Sequence, residues 1–168
     1  EQSAELNRQI GYRVDVVEHN LGVVAQEQGD LEAARTYFES SVEARRALDD
    51  APGLALSLAK LGEVVAAQGD FATAQRMLAE SVVLQRDLGD RPGLAFVLDA
   101  MAIVAAMHGR ATRALRLAGA SSALREALGM PLSQAAQSSL DERLALSWKA
   151  LRGTSGADAW REGRTLPA

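Results

Sequence analysis

Sliding the sequence along itself by about 40 residues brings most of it into register. The stretch LGVVAQEQGD at 21–30 falls on LGEVVAAQGD at 61–70, and both fall on MAIVAAMHGR at 101–110. Upstream, APGLALSL at 51–58 falls on RPGLAFVL at 91–98. Ser41, Ser81 and Ser121 coincide at the same offset, as do Leu48, Leu88 and Leu128. Three tandem units leave a chain little freedom. Each unit is one supersecondary element that cannot bury its apolar face alone, so the units have to stack.

The local pattern says what each unit is. In the middle unit Leu54, Leu58, Leu61 and Val65 recur at steps of four and three and form one face of a first helix, A. Gln68-Gly69-Asp70 interrupts it, since glycine can take the left-handed conformation that ends a helix and aspartate can cap the next. A second helix, B, follows with Phe71, Ala74, Leu78, Val82 and Leu88 in step. Gly89-Asp90-Arg91-Pro92-Gly93 closes it, because proline tolerates a first helical turn but not an interior. Nearly half of the residues are apolar yet only 4% are aromatic, so alanine and leucine carry the burial. That mix favours helices over strands. Gly22, Gly62 and Ala102 share one A-helix site, and Ala34, Ala74 and Ala114 share one B-helix site. Glycine inside a helix costs about 1 kcal/mol against alanine, which points to close packing of the two helices at these sites.

The pattern Leu58-x-x-Leu61-Gly62-x-x-Val65, followed by Ala74, Leu78 and Ser81, resembles the tetratricopeptide repeat consensus. Phe38 keeps the aromatic in the first unit, Glu18 departs from a large apolar site, and the third unit weakens at Ala118 and Gly119. The resemblance implies an all-α fold: a right-handed superhelical stack of antiparallel helical hairpins closed by a C-terminal capping helix. The units are expected at 11–51, 52–91 and 92–131, with turns at 28–30, 68–70 and 108–110. Residues 1–10 are expected to end a truncated upstream unit, with Ile10-Gly11 in the part of Leu88-Gly89. In the 132–168 tail a helix is expected from about Ser133 to Leu151, then a break at Gly153-Thr154-Ser155-Gly156 and a short final segment. Trp148 and Trp160 are placed to cover the last hairpin, as a solenoid cap does.

The tail carries a second resemblance. The run ALRLAGASSALREALGMPLSQ, then a helix, then ADAWREGRTLP, is similar to the C-terminal end of bacterial ATPase-linked transcriptional regulators of the LuxR type. It covers roughly residues 60–166. In those proteins a nucleotide-hydrolysing module precedes a tetratricopeptide sensor region. No GxxxxGK[ST] loop occurs in this sequence, so such chemistry would lie outside it.

Several function classes are disfavoured. There is no cysteine, which removes disulfides, thiolate nucleophiles and Cys-ligated zinc. The net charge of −4 is mild and the signs are interspersed, so direct nucleic-acid binding is not expected. No apolar stretch approaches a membrane span, and a cytoplasmic setting is expected. His19 and His108 lack the spacing of a metal site; His108 stands where Gln28 and Gln68 stand, before the turn glycine. Asp49-Asp50 and Asp141-Glu142 are adjacent in sequence and so diverge, and Ser121, Ser122, Ser138 and Ser139 have no nucleophile-elbow motif. The chain is read as not an enzyme, with no metal or cofactor.

What remains is a binding surface. By the repeat pattern the A-helix positions facing a concave groove are Val16, His19, Val23 and Gln26, then Leu56, Ala59 and Glu63, then Phe96, Asp99, Ile103 and Met107. Part of this stripe is expected to be covered by neighbouring helices. The Lys and Asn clamp for a terminal carboxylate found in chaperone-binding tetratricopeptide domains is missing, since those sites hold His19, Val23, Ala59 and Glu63. The expected ligand is a protein or peptide segment, or a small effector, read by a sensor module of a larger bacterial regulator; a free-standing scaffold is the alternative. Val14, Val17 and Leu21 are expected to expose an apolar edge that an upstream repeat would cover in a longer protein, and through which this chain could form a homodimer.

Overall fold

One kind of punctuation recurs every twenty residues or so and cuts the chain into helices. Asp30, Asp50, Asp70 and Asp90 each accept a hydrogen bond from the backbone N–H three residues on, at 3.0–3.1 Å, satisfying a donor that the first helical turn leaves unpaired. Before each cap one residue takes a left-handed φ. It is glycine at Gly29, Gly69 and Gly89, and Asp49, with φ of 53°, at the fourth place. Beyond Gly109 the capping aspartate gives way to Arg110, which makes no side-chain cap bond.

The computed structural model describes residues 2–151 and 154–165, with side chains from Val14 onward. Among the described residues there are eight α-helices: α1 (Gln2–Glu27), α2 (Leu31–Ala47), α3 (Ala51–Ala67), α4 (Phe71–Leu88), α5 (Arg91–Met107), α6 (Ala111–Leu128), α7 (Gln134–Ala150) and α8 (Ser155–Arg164). The three expected turns fall where the repeat places them. The break expected at Ile10-Gly11 is not there, because α1 runs unbroken from Gln2 to Glu27. Gly11 is followed by Tyr12 and Arg13 rather than by the Asp and Pro that follow Gly89, so nothing caps or restarts a helix at that point. The break before the last segment ends earlier than expected. Gly153 lies outside the described residues, while Ser155 and Gly156 already belong to α8.

The chain divides into two compact units, Glu1–Leu84 and Gln85–Ala168, with the last turn of α4 belonging to the second. In unit 1, α1 and α2 form an antiparallel hairpin, and α2 packs onto α3. Ser41 Oγ donates to the Asp15 carbonyl, and Ser81 Oγ to the Ala55 carbonyl, so each B-helix serine pins its own A helix. Ala34 and Ala74 are fully buried. The closest neighbour of Gly22, however, is not Ala34. A Cβ on Gly22 would lie 2.8 Å from the Phe38 ring, and one on Gly62 3.2 Å from Leu78 Cγ. Glycine on the A helix thus makes room for a large apolar side chain on the B helix.

Unit 2 repeats the scheme with different volumes. Ser121 Oγ donates to the Ala95 carbonyl at 2.9 Å, and Ala114 is fully buried. At the site of Gly22 and Gly62 stands Ala102, and at the site of Phe38 and Leu78 stands Ala118. The freed space lies in a core of Ile103, Leu115, Leu140, Leu144 and Ala159, against which Leu132, Leu151 and Trp160 pack. Helix α7 buries only Leu140, Leu144 and Ser147. Helix α8 lies backbone to backbone on α6: a Cβ on Gly119 would strike the Trp160 carbonyl, and one on Gly163 the Arg116 carbonyl. Gly119, which breaks the repeat pattern, is the seat of α8. Trp160 thus joins the core, while Trp148 stacks 6.0 Å from it over Gly156 and stays 39% exposed.

Candidate functional site

Among the described residues of unit 1, one face of α1 carries an exposed apolar stripe. Val14, Val17, Leu21 and Val24 recur at steps of three and four, and each is between 42% and 55% exposed. Their counterparts on α3 are Leu54, Ser57, Leu61 and Val64, all buried, with α2 packed against that helix. The repeat therefore supplies its own comparison. The face that α3 buries inside unit 1 is carried open on α1. Val24 completes the stripe, and its match to Val64 in the repeat register is the sequence signal that finds it.

The expected groove positions divide. Val16, Val23 and Leu56 in unit 1 and Phe96 in unit 2 are part-exposed, and Met107 is 43% exposed. Ala59, Glu63 and Ile103 are buried and present no side chain to a ligand. Glu63 is drawn inward by Lys60 at 3.3 Å and by a hydrogen bond from Gln26 at 3.4 Å. Asp99 is paired with Arg125 at 2.6 Å. Both carboxylates thus have cationic partners of their own.

His19 is also committed inside unit 1. Its Nδ1 lies 2.9 Å from Ser57 Oγ, and its ring meets Phe38 edge-on with centroids 5.4 Å apart. Burial, and then the nearby charges of Arg45 and Lys60, lower its pKa from 6.5 to about 4, so the ring is neutral at pH 7. Beside it Arg45 is almost wholly buried. Its Nε donates to Asp15 at 2.9 Å and its Nη1 to the Gly53 carbonyl, which ties α2 to α1 and α3 together. Among the described residues no group of three or more His, Cys, Asp or Glu is arranged to hold a metal ion. No helix there is long and apolar enough to cross a membrane.

Helical hairpins pinned serine to carbonyl, a glycine opposite a large apolar residue, and an A-helix face buried by the preceding B helix describe one repeat architecture. Residues 13–87 match the tetratricopeptide repeat family. No curated protein matches the chain. The matched segment runs from within α1 into the last turn of α4, and so contains the open α1 face, His19, and the part-exposed Val16, Val23 and Leu56. Such repeats mediate protein–protein interaction.

Unit 2 adds a concavity that the groove pattern does not anticipate. Asp99, Arg125, Glu126, Leu132, Gln137 and Trp160 are among the residues lining a cavity of about 450 Å³. Its signal in the sequence is a broken register. Asp50 and Asp90 correspond to Met130, and Pro52 and Pro92 to Leu132, with Pro131 one place early.

Proposed function

We propose that the tetratricopeptide segment is a protein-binding module whose receptor surface is the apolar face of α1, and that its partner is an amphipathic helix of the kind α2 offers to α3. The carrying observation is the four-residue stripe Val14, Val17, Leu21 and Val24, open on α1 while its counterpart on α3 is buried. Fully burying one such side chain contributes about 1.5–3 kcal/mol, so even partial cover of four is enough for a specific contact. Val16, Val23 and Leu56, part-exposed groove positions in unit 1, are the places where the partner or a second segment would be read. A second copy of this chain is the other candidate occupant, and dependence on concentration separates the two.

The wider role, a sensor or interaction part of a bacterial signalling or transcriptional regulator, is supported by the sequence resemblance over roughly residues 60–166. A nucleotide-binding loop in the same reading frame would favour it over a free-standing scaffold.

The binding reading is tested with a fluorescent peptide of residues 31–48, the α2 sequence, titrated with the whole chain. Saturable binding is expected, and Val17→Glu with Leu21→Glu should abolish it without altering the melt, since both side chains are exposed. No binding by the parent, or unchanged binding by the double variant, would contradict the proposal.

A further inference from the structure

In the first two repeats, the B-helix residue just before the turn lies under the first turn of the next helix. Arg45 donates to the Gly53 carbonyl. Gln85 lies against Gly93 so closely that a Cβ there has no room. At the third position the residue is Arg125, and the helix that should cover it opens late. With Met130 in place of the capping aspartate, α7 begins only at Gln134, capped by Ser133 Oγ, which accepts from the Ala136 N–H at 3.2 Å. Ala118 stands where Phe38 and Leu78 stand, which removes further volume. What a helical turn fills beside Arg45 and Gln85 is, beside Arg125, the cavity of about 450 Å³.

The charges around this cavity are already matched. Arg125 Nη2 donates to Asp99 at 2.6 Å, and Arg164 binds Glu126 through two hydrogen bonds at 2.9 and 2.7 Å. A carboxylate would have to displace Asp99 or face Glu126, and an ammonium would meet the two arginines. An unpaired charge in a half-enclosed site is costly, so a neutral ligand is favoured. Polar partners are nevertheless present. Arg125, Ser122 and Gln137 line the space, with Leu132, Leu140 and Trp160 on the apolar side. The volume is within the range of small-ligand pockets.

We infer that this cavity takes a neutral peptide segment of a few residues, in place of the missing helical turn. A main-chain carbonyl accepts from Arg125, and an apolar side chain lies against Leu132 and Trp160. The site is separate from the α1 face and does not depend on that reading.

The probe is the blocked peptide N-acetyl-Ala-Pro-Gly-Leu-amide, the sequence of the turn that begins α3, titrated into the whole chain and followed by the Trp160 indole resonance. Saturable binding with Kd of about 1 mM or below is expected. Its free-acid counterpart should bind more weakly. Arg125→Met should weaken binding about tenfold, the worth of a hydrogen bond from a charged donor. Gln137→Phe, which fills the cavity from the part-exposed side of α7 and leaves both ion pairs alone, should abolish binding while the melt is retained. If Arg125→Met does not fold, the Gln137→Phe result decides alone. No saturable shift in the parent, equal binding by a folded Gln137→Phe, or tighter binding of the free acid would overturn the inference.

Discussion

His19 is a neutral ring held in place by Ser57 and Phe38, with two cations nearby that disfavour its protonation, and its consequence is a pH dependence of known sign. The folded state takes up its proton only near pH 4, while the unfolded chain does so near 6.5. Above 6.5 the two states bind alike and the group costs nothing. Between 6.5 and 4 the unfolded chain gains the proton first, so stability falls as pH falls. Thermal melts from pH 7 to 4.5 should show the parent losing more than His19→Gln, and parallel slopes would contradict the burial of His19. The sequence suggested an open groove position here, because a helical register gives the side of a helix but not how deep its neighbours reach. Arg110 makes the opposite kind of case. It stands where Asp30 and Asp70 cap, carries the wrong charge for a helix N-terminus, and is legible from the repeat alone. Arg110→Asp should raise stability by about 1 kcal/mol in denaturant unfolding.

At the scale of elements, what repeats was legible and what happens once was not. The turns at 28–30, 68–70 and 108–110 and the helix from about Ser133 were readable because each has a glycine or a cap that acts locally. The seat of α8 was not, because its signal is two side chains that are missing. Gly119 and Gly163 permit a backbone contact between α8 and α6 that no periodicity announces. A Cβ on Gly119 would meet a carbonyl of the main chain rather than a flexible side chain, so the collision cannot be relieved by a rotamer. Gly119→Ala should therefore destabilise unit 2 by roughly 1–3 kcal/mol, despite alanine's better helix propensity. The check is the urea midpoint together with Trp160 emission, which should shift red as α8 leaves α6. An unchanged midpoint would mean that the helices are not so close.

For the molecule as a whole, the open apolar edge at Val14, Val17 and Leu21 was legible in the sequence, whereas which of the A-helix groove positions would be covered was not. Glu63 and Ala59 turned inward, Asp99 found Arg125, and the broadest apolar exposure fell on α1. That difference follows from stacking, since α2 packs on the α3 face and covers it. The cavity beside Arg125 comes from the same rule, applied where the next helix starts late. The central claim is that partners are received on α1, and hydrogen exchange of the chain with and without the 31–48 peptide tests it most directly. Added protection is expected on α1 across residues 14–24. Protection confined to the outer surface of α2 and α4 around the exposed Arg35 and Arg76, with α1 unchanged, would contradict the account.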